Sequence, residues 1–242
     1  SALRQIGRGF PESLLQRDAL CSTSLRWLHV LTGAYETGGH TALCRRWIEL
    51  DQSGDTHDLA LTCQEVSIPK DIQDAVDAKG GRIHLLDSSS MMDRAVALRQ
   101  LAFAADVVVL HTHMWEPLPT IAFAIPNGPP VFLLNHADHA YWTGGSVADL
   151  ILNIRPSGEV LCESNRGNGA SFRLPIPIPR PEVVRDDPRG IQLRDQLGIP
   201  TAATVFLTIG SAYKYVPTKE MNFLETAKNI LQQVKGSYLI AV

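Results

Sequence analysis

The chain has four cysteines, Cys21, Cys44, Cys63 and Cys162, and no C-x-x-C pair among them. That spacing supplies neither a zinc knuckle nor a thiol–disulfide redox motif; it fits buried free thiols in a reducing compartment. No apolar run approaches the roughly 18 residues that a membrane-spanning helix needs. The first twenty residues, SALRQIGRGFPESLLQRDAL, lack the apolar core of a secretory signal, so a cytoplasmic location is expected. Basic residues are not in excess: 22 Lys and Arg stand against 25 Asp and Glu, for a formal charge of −3. This argues against duplex nucleic acid as the main partner, although a local basic pocket is compatible with it. Internal repeats, low-complexity tracts and the dinucleotide fingerprint G-x-G-x-x-G are all missing.

What is present is an ordinary hydrophobic fraction, 45%, arranged in two alternating textures. Short apolar runs recur as LRWLHVLT (25–32), HDLALTC (57–63), GRIHLL (81–86), DVVVLH (106–111), PVFLLN (130–135) and DLILNI (149–154). Segments of helical spacing lie between most of them. Leu43, Trp47 and Leu50 fall at i, i+4 and i+7, and Ala95, Leu98 and Ala102 share one side of the segment 91–105. Strands that are apolar on both faces and alternate with helices indicate a parallel sheet covered on both sides, a doubly wound, Rossmann-like α/β domain.

The texture breaks at LPIPIPRPEVVRDDPRG (174–190), where prolines cannot donate ladder hydrogen bonds. A further strand follows (203–210), then a helix (217–234) with Leu224, Ala227, Leu231 and Val234 as its expected inward stripe, then the start of another strand. The expected organisation is a helical extension over 1–24, a Rossmann-like domain over 25–175, a Pro-rich linker over 176–200, and the beginning of a second Rossmann-like domain over 201–242. A lone strand–helix–strand has little core of its own, so the whole protein is expected to run to roughly 350–400 residues. The alternative is that residues 201–242 extend the first sheet.

Four stretches carry candidate chemistry. In LTGAYETGGHTAL (31–43), Gly33, Gly38 and Gly39 precede a helix, where backbone N–H groups and the helix dipole can approach an anion or a sugar. In HTHMWEP, His111 ends the fourth strand and His113 lies just past it, at the edge where open α/β sheets bind ligands. A histidine there can bond a hydroxyl, move a proton or hold a metal. NHADHAYWTGG brings His136, Asp138, His139, Tyr141 and Trp142 onto the loop after the fifth strand, a polar and aromatic set suited to a sugar. IGSAYKYVPTKE places Lys214 and Lys219 near a helix start, which suits a diphosphate. His111, His113 and His139 are also enough for a three-ligand catalytic metal site. No histidine follows His139, however, and His113 is followed by Met114 and Trp115, not by the x-Asp-His of a metallo-hydrolase.

The order of these features resembles the N-terminal domain, linker and first part of the C-terminal domain of retaining GT-B glycosyltransferases of the group 1 type. GGH (38–40) sits where that family has its Gly-Gly loop. DVVVLH resembles the strand whose final histidine faces the donor sugar, which is His111 here, with His113 as the substitute if the loop is shifted. IGSAYKYVPTKE resembles the element whose basic pair holds the donor diphosphate: Lys219 matches the lysine and Lys214 stands in for the arginine. Departures are Ser211 for that arginine, Glu220 for a glycine, and PIPIP for the usual P-N-G.

The resemblance implies hexosyl transfer from a nucleotide-diphosphate sugar to a carbohydrate or lipid-linked acceptor, with retention, without metal and without a cofactor. His111 and His113 would act at the reacting sugar, and Gly38, Gly39, Lys214 and Lys219 would bind the donor phosphates. His40, His136, Asp138, His139 and Tyr141 would line the acceptor side. No membrane span is expected, though peripheral membrane contact is compatible with a lipid-linked acceptor. The readings left standing beside it are a non-catalytic sugar- or nucleotide-binding Rossmann module, a nucleotide-sugar epimerase, and a metal-dependent hydrolase using His111, His113 and His139. On the glycosyltransferase reading the 242-residue chain should show no turnover by itself; sugar transfer measured with it would refute the expectation of a missing half.

Overall fold

The computed structural model describes residues 2–9, 24–88, 90–138, 140–165, 170–178, 187–210, 212–219 and 221–242. It divides into two compact units, Ser1–Ile178 and Pro179–Val242, with the division inside the Pro-rich stretch.

The first unit begins with α1 (Ala2–Arg8) and continues as β1 (Arg26–Leu31), α2 (Gly39–Leu50), β2 (Thr56–Leu61), α3 (Lys70–Ala78), β3 (Ile83–Leu85), α4 (Met91–Phe103), β4 (Val107–Leu110), α5 (Leu118–Ala122), β5 (Val131–Asn135), β6 (Leu150–Asn153), α6 (Pro156–Asn165) and β7 (Ala170–Arg173). The seven strands form one sheet in the order β3-β2-β1-β4-β5-β6-β7, and every neighbouring pair is parallel. The expected Rossmann-like α/β class is therefore what the chain adopts. Each of the six apolar runs read from the sequence becomes one of β1 to β6. The seventh, β7, comes from ASFR, which has no apolar run because most of the strand is exposed.

Chain order reverses between β1 and β4. Successive connections from β1 lead outward to β3, while those from β4 lead outward to β7. Such a switch point opens a crevice beyond the carboxyl ends of the two central strands. The period-2 alternation of strands divides the core accordingly. Leu28, Val30, Ala60, Val108, Leu110, Val131 and Leu133 pack against α4 and α5. Leu31, Leu59 and Leu61 pack against Cys44 and Ile48 of α2 and Ile72, Ala75 and Val76 of α3.

One helical face here differs in part from the expected one. The buried residues of α2 are Thr41, Leu43, Cys44 and Ile48. Leu43 and Trp47 pack inward, but Leu50 is 59% exposed, and Cys44 and Ile48 complete the inward face in its place. The Ala95, Leu98 and Ala102 face of α4 is buried as expected. Of the cysteines, Cys44 and Cys162 are buried, Cys63 is exposed, and Cys21 lies outside the described residues.

The N-terminal residues, given no role above, pack α1 onto α5. A Cβ on Gly7 would stand 2.4 Å from the Ile121 carbonyl oxygen. The buried Arg99 guanidinium donates to the carbonyls of Gly7 (2.8 Å), Ile121 (2.9 Å) and Ala122 (2.8 Å), joining both helix ends to α4. At the other edge of the sheet, carboxylates meet the backbone donors where strands begin: Asp55 accepts from Leu25, Asp106 from Arg26, Asp58 from Arg82 and Asp149 from Val131.

The second unit contains α7 (Pro188–Gln196), β8 (Val205–Thr208), a 3-10 turn (Ala212–Tyr215), α8 (Phe223–Gln233) and β9 (Tyr238–Ala241). Its two strands pair in parallel with each other in a sheet separate from the first. The expected inward stripe of α8 is only partly inward. Ala227 is buried, whereas Leu224 is 63% exposed.

Gly81 is where the fold tolerates no side chain, since an added Cβ would lie 1.8 Å from the His57 carbonyl oxygen. Either the loop before β3 or β2 itself would have to move. Gly81→Ala is expected to destabilise the chain by about 2–3 kcal/mol, measured by urea unfolding.

Candidate functional site

Three single histidines in different strands share one face. His29 in β1 points toward α2, as Leu31 does, while its neighbours Leu28 and Val30 point the other way. In the sheet register Trp27 stands opposite His57 and His29 opposite Val109. His57 is thus offset from His29 by two residues toward the strand starts, and His111 by two residues toward the strand ends. Two residues restore the same face, so the three rings form a diagonal across β2, β1 and β4.

They are bonded to one another. His29 Nδ1 lies 3.0 Å from His111 Nε2, His29 Nε2 lies 2.9 Å from His57 Nδ1, and His57 Nε2 lies 3.0 Å from Asp51 Oδ2. Exposures of His29, His57 and His111 are 0%, 0% and 1%. Aromatic rings seal the line: Trp47 sits edge-on to His29 and His111, and Trp27 stacks on His57 with planes 8° apart.

The upper end of the line meets a second histidine group. His40, in the first turn of α2, touches His136 with ring centroids 3.8 Å apart and His113 at 5.6 Å, and His113 touches Trp115 at 4.8 Å. His136 and His40 are also the groups whose charge acts on His111. The loops bearing them are tied together. The His113 amide donates to Thr32 Oγ1 (2.9 Å), the Thr143 amide to the Met114 carbonyl (2.9 Å), and Thr143 Oγ1 to the Glu116 carbonyl (2.5 Å). Beside His40, α2 starts at Gly38 without a side-chain cap, with φ at 151° and nothing within 4 Å of a Cβ placed on Gly38 or Gly39. With no side-chain cap on its first turn, this helix start is a favourable place for an anion. Glu116, bonded to the Thr62 hydroxyl at 3.2 Å, adds a carboxylate at the same edge.

Burial sets the protonation of these rings. It drives His111 down to about 3, helped by His136 and His40, and drives His29 well below its ordinary value, helped by His111 and His57. Burial, then His113, lowers His40. Asp51 is pulled the other way: burial raises it, but hydrogen bonds from His57 and Ser53 outweigh that and hold it at about 2. Near neutral pH His29 and His111 are therefore neutral imidazoles, and the line ends on a carboxylate.

Of the site residues expected from sequence, the structure brings His40, His113 and His136 together at the crevice with Gly38 and Gly39. His111 belongs to the same place but lies beneath the surface, with Nε2 on His29, so it is not itself part of the wall. Asp138 does not project as expected: it is buried and held by the Arg155 guanidinium, with Nε at 2.6 Å, and by Ser157 Oγ at 2.9 Å. Trp142 also turns inward, into the core, while Tyr141 is 84% exposed. Lys219 is exposed in the second unit. His139 and the Lys214 side chain lie outside the described residues.

Sequence reasoning missed His29, His57 and Asp51. Among the described residues, the group of side chains close enough to share a cation is His29, Cys44 and His111, all buried, with ligand atoms within 4.8 Å. Its donors fit a cation poorly. Both nitrogens of His29 are already occupied by other imidazoles, and burial pushes the Cys44 thiol far up, away from the thiolate a metal requires.

No family model and no curated protein matches the sequence. Among solved structures, the chain is similar to the O-GlcNAc transferase of Thermobaculum terrenum (a K341M mutant) at 16% identity and a TM-score of 0.54, covering 90% of this chain and 39% of that one. It also matches the wall teichoic acid polymerase TagF (H444N, soaked with CDPG) at 9% identity and a TM-score of 0.42, over 91% of this chain and 57% of that one. The chain thus spans well under two thirds of either, and the first likeness supports the Rossmann-like fold.

The depressed histidines give stability a defined pH dependence. His111 and His29 take up protons in the unfolded chain near the ordinary value of 6.5, but in the folded chain only far below it. The unfolded state binds more protons throughout that window, so stability rises with pH across it. From about pH 6.5 down toward about 3, the urea midpoint should fall, with a slope approaching two protons, and above about pH 7 these groups should contribute no slope.

Proposed function

We propose that the chain carries the acceptor-side domain of a glycosyltransferase that moves a hexosyl group from a nucleotide-diphosphate sugar to a carbohydrate or lipid-linked acceptor. The observation that supports this best is the crevice at the β1–β4 switch point. There the His40, His113 and His136 rings and the exposed Trp115 stand beside the uncapped N-terminus of α2. Imidazoles and an aromatic face suit the hydroxyls and C–H faces of a sugar. The open N–H groups at Gly39 and His40 suit a phosphate or a developing negative charge.

On this reading His113 contacts the sugar, with His111 beneath it, and His40, His136 and Tyr141 shape the acceptor side. Lys214 and Lys219 are the basic pair that the resemblance assigns to the donor diphosphate. Charge stabilisation by these groups replaces a metal, and transfer proceeds with retention. Asp138 enters as the residue that fixes the loop through Arg155. A non-catalytic sugar-binding module would use the same crevice without transfer.

Titration of the chain with a panel of nucleotide-diphosphate hexoses, followed by calorimetry or ligand-observed NMR, tests the reading. Saturable binding is expected, with affinity falling about tenfold or more in His113→Ala and the fold unchanged by circular dichroism. Absence of binding by every member of the panel would remove the reading. Binding that this substitution leaves unchanged would move the site away from the crevice.

A further inference from the structure

We propose that Asp51, His57, His29 and His111 form a directional proton relay running through the sheet from the α2–β2 connection to the histidine group at the crevice. The direction follows from hydrogen-bond chemistry. Asp51 is ionised and can only accept, so the hydrogen on His57 is at Nε2. A neutral imidazole with its hydrogen at Nε2 accepts at Nδ1, so His57 takes a bond from His29 Nε2–H. By the same step His29 Nδ1 takes a bond from His111 Nε2–H.

Three rings are thereby locked into one tautomer, and the His111 Nδ1 lone pair is left over. That atom is buried and has no hydrogen-bond partner among the described residues. It is the end of the line toward the crevice, where His136 and His40 are the titratable groups that act on it. At the other end, the Asp51 side chain is 21% exposed and also accepts from Ser53 Oγ (2.7 Å), with Asp55 nearby and the Lys79 ammonium on its backbone carbonyl. His29 faces Cys44 and Trp47 as well, and His57 faces Trp27.

A proton delivered to His111 Nδ1 need not rest there as a buried cation. His111 Nε2–H passes its proton to His29 Nδ1, His29 Nε2–H to His57 Nδ1, and His57 Nε2–H to Asp51 Oδ2. Every ring ends neutral, with its hydrogen at Nδ1, and the carboxylic acid at Asp51 can lose its proton to water. The reverse sequence, started by a proton from water at Asp51, returns a proton to the crevice and restores the starting tautomers. Applied to sugar transfer, which rests on the reading above, the acceptor hydroxyl gives up its proton as its oxygen bonds to the sugar carbon and the bond from that carbon to the diphosphate breaks, and the proton reaches His111 by way of the crevice histidines that cover it. His29, His57 and Asp51 are then positioning residues that act through His111.

The test uses the 242-residue chain with 15N-labelled histidine and no ligand. Two-bond 1H–15N spectra near neutral pH should show His57, His29 and His111 each protonated at Nε2. Asp51→Lys, whose ammonium can only donate, should switch all three to the Nδ1–H form. Asp51→Asn, which can donate or accept, should give a mixture of the two.

His111 protonated at Nδ1 in the wild-type chain would overturn the proposal. So would a His111 tautomer that stays fixed in a folded Asp51→Lys or Asp51→Asn variant. Stoichiometric zinc found by elemental analysis, with His29 or His111 spectra changed on chelation, would assign the cluster to a metal instead. None of these readouts involves a sugar, so failure to bind nucleotide sugars and failure of the relay are separate outcomes.

Discussion

A neutral buried imidazole has one donor and one acceptor, and both must be met where no water reaches. The middle of a parallel sheet offers little for this, because its backbone groups are spent on the ladders. His29, fully buried between β2 and β4 with Trp47 against it, is satisfied only by two other imidazoles, one on each neighbouring strand. That requirement fixes a good deal of the architecture. β1 must lie between β2 and β4, and the register must offset each neighbour by two residues, in opposite directions along the strands. A slip of one residue in either pairing would turn a ring to the α4 side and leave His29 with an unmet nitrogen. The backbone of β2 at His57 is in turn held close to Gly81, where a side chain would not fit.

The same line joins two ends of the sheet with opposite character. Strand starts are lined with carboxylates that take up backbone donors, Asp55, Asp58, Asp106 and Asp149, and Asp51 belongs to that edge. The strand ends at the switch point carry neutral imidazoles and an open helix N-terminus. Helix α2 spans the distance: its first turn holds His40 and its C-cap is Asp51, and twelve residues cover about 18 Å. One helix therefore positions both the crevice wall and the acceptor of the histidine line. Its dipole also places the positive end beside the ligand edge.

Much of the fold was legible because apolar runs report parallel strands directly. VVVL in β4 is buried at every position, and no helical reading of that run competes. β7 was not legible, because an exposed edge strand needs no hydrophobic pattern. The inward face of α2 was legible only in part: Leu43 and Trp47 pack inward as their spacing suggests, with Cys44 and Ile48 beside them, while Leu50 projects outward. At the site, the clustered histidines His111, His113 and His136 drew attention because they are close in sequence. His29 and His57 stand alone in apolar strands, so nothing local distinguishes them from satisfied core histidines. The signal lay in combining levels: with β1 between β2 and β4, as a doubly wound sheet requires, all three rings fall on one face of adjacent strands. Asp138 shows the opposite error, since its place in a polar loop motif concealed that Arg155, seventeen residues later, would take up its charge.

The protonation states divide the work expected of the crevice. Rings held neutral by burial cannot attract a phosphate by charge, so His40 and His111 are matched to hydroxyl groups, as donors or acceptors according to tautomer. Attraction for negative charge must come from elsewhere at this edge, and the uncapped first turn of α2 supplies it. The tautomer of a neutral ring then matters more than its charge. A lone pair at His111 Nδ1 can receive a proton, whereas a hydrogen at that atom cannot, and the choice is set at Asp51, three hydrogen bonds away. The carboxylate of Asp51 meets the last buried N–H of the line, that of His57. Ending it there gives the line a polarity, and with it a use for the unmatched nitrogen at the crevice.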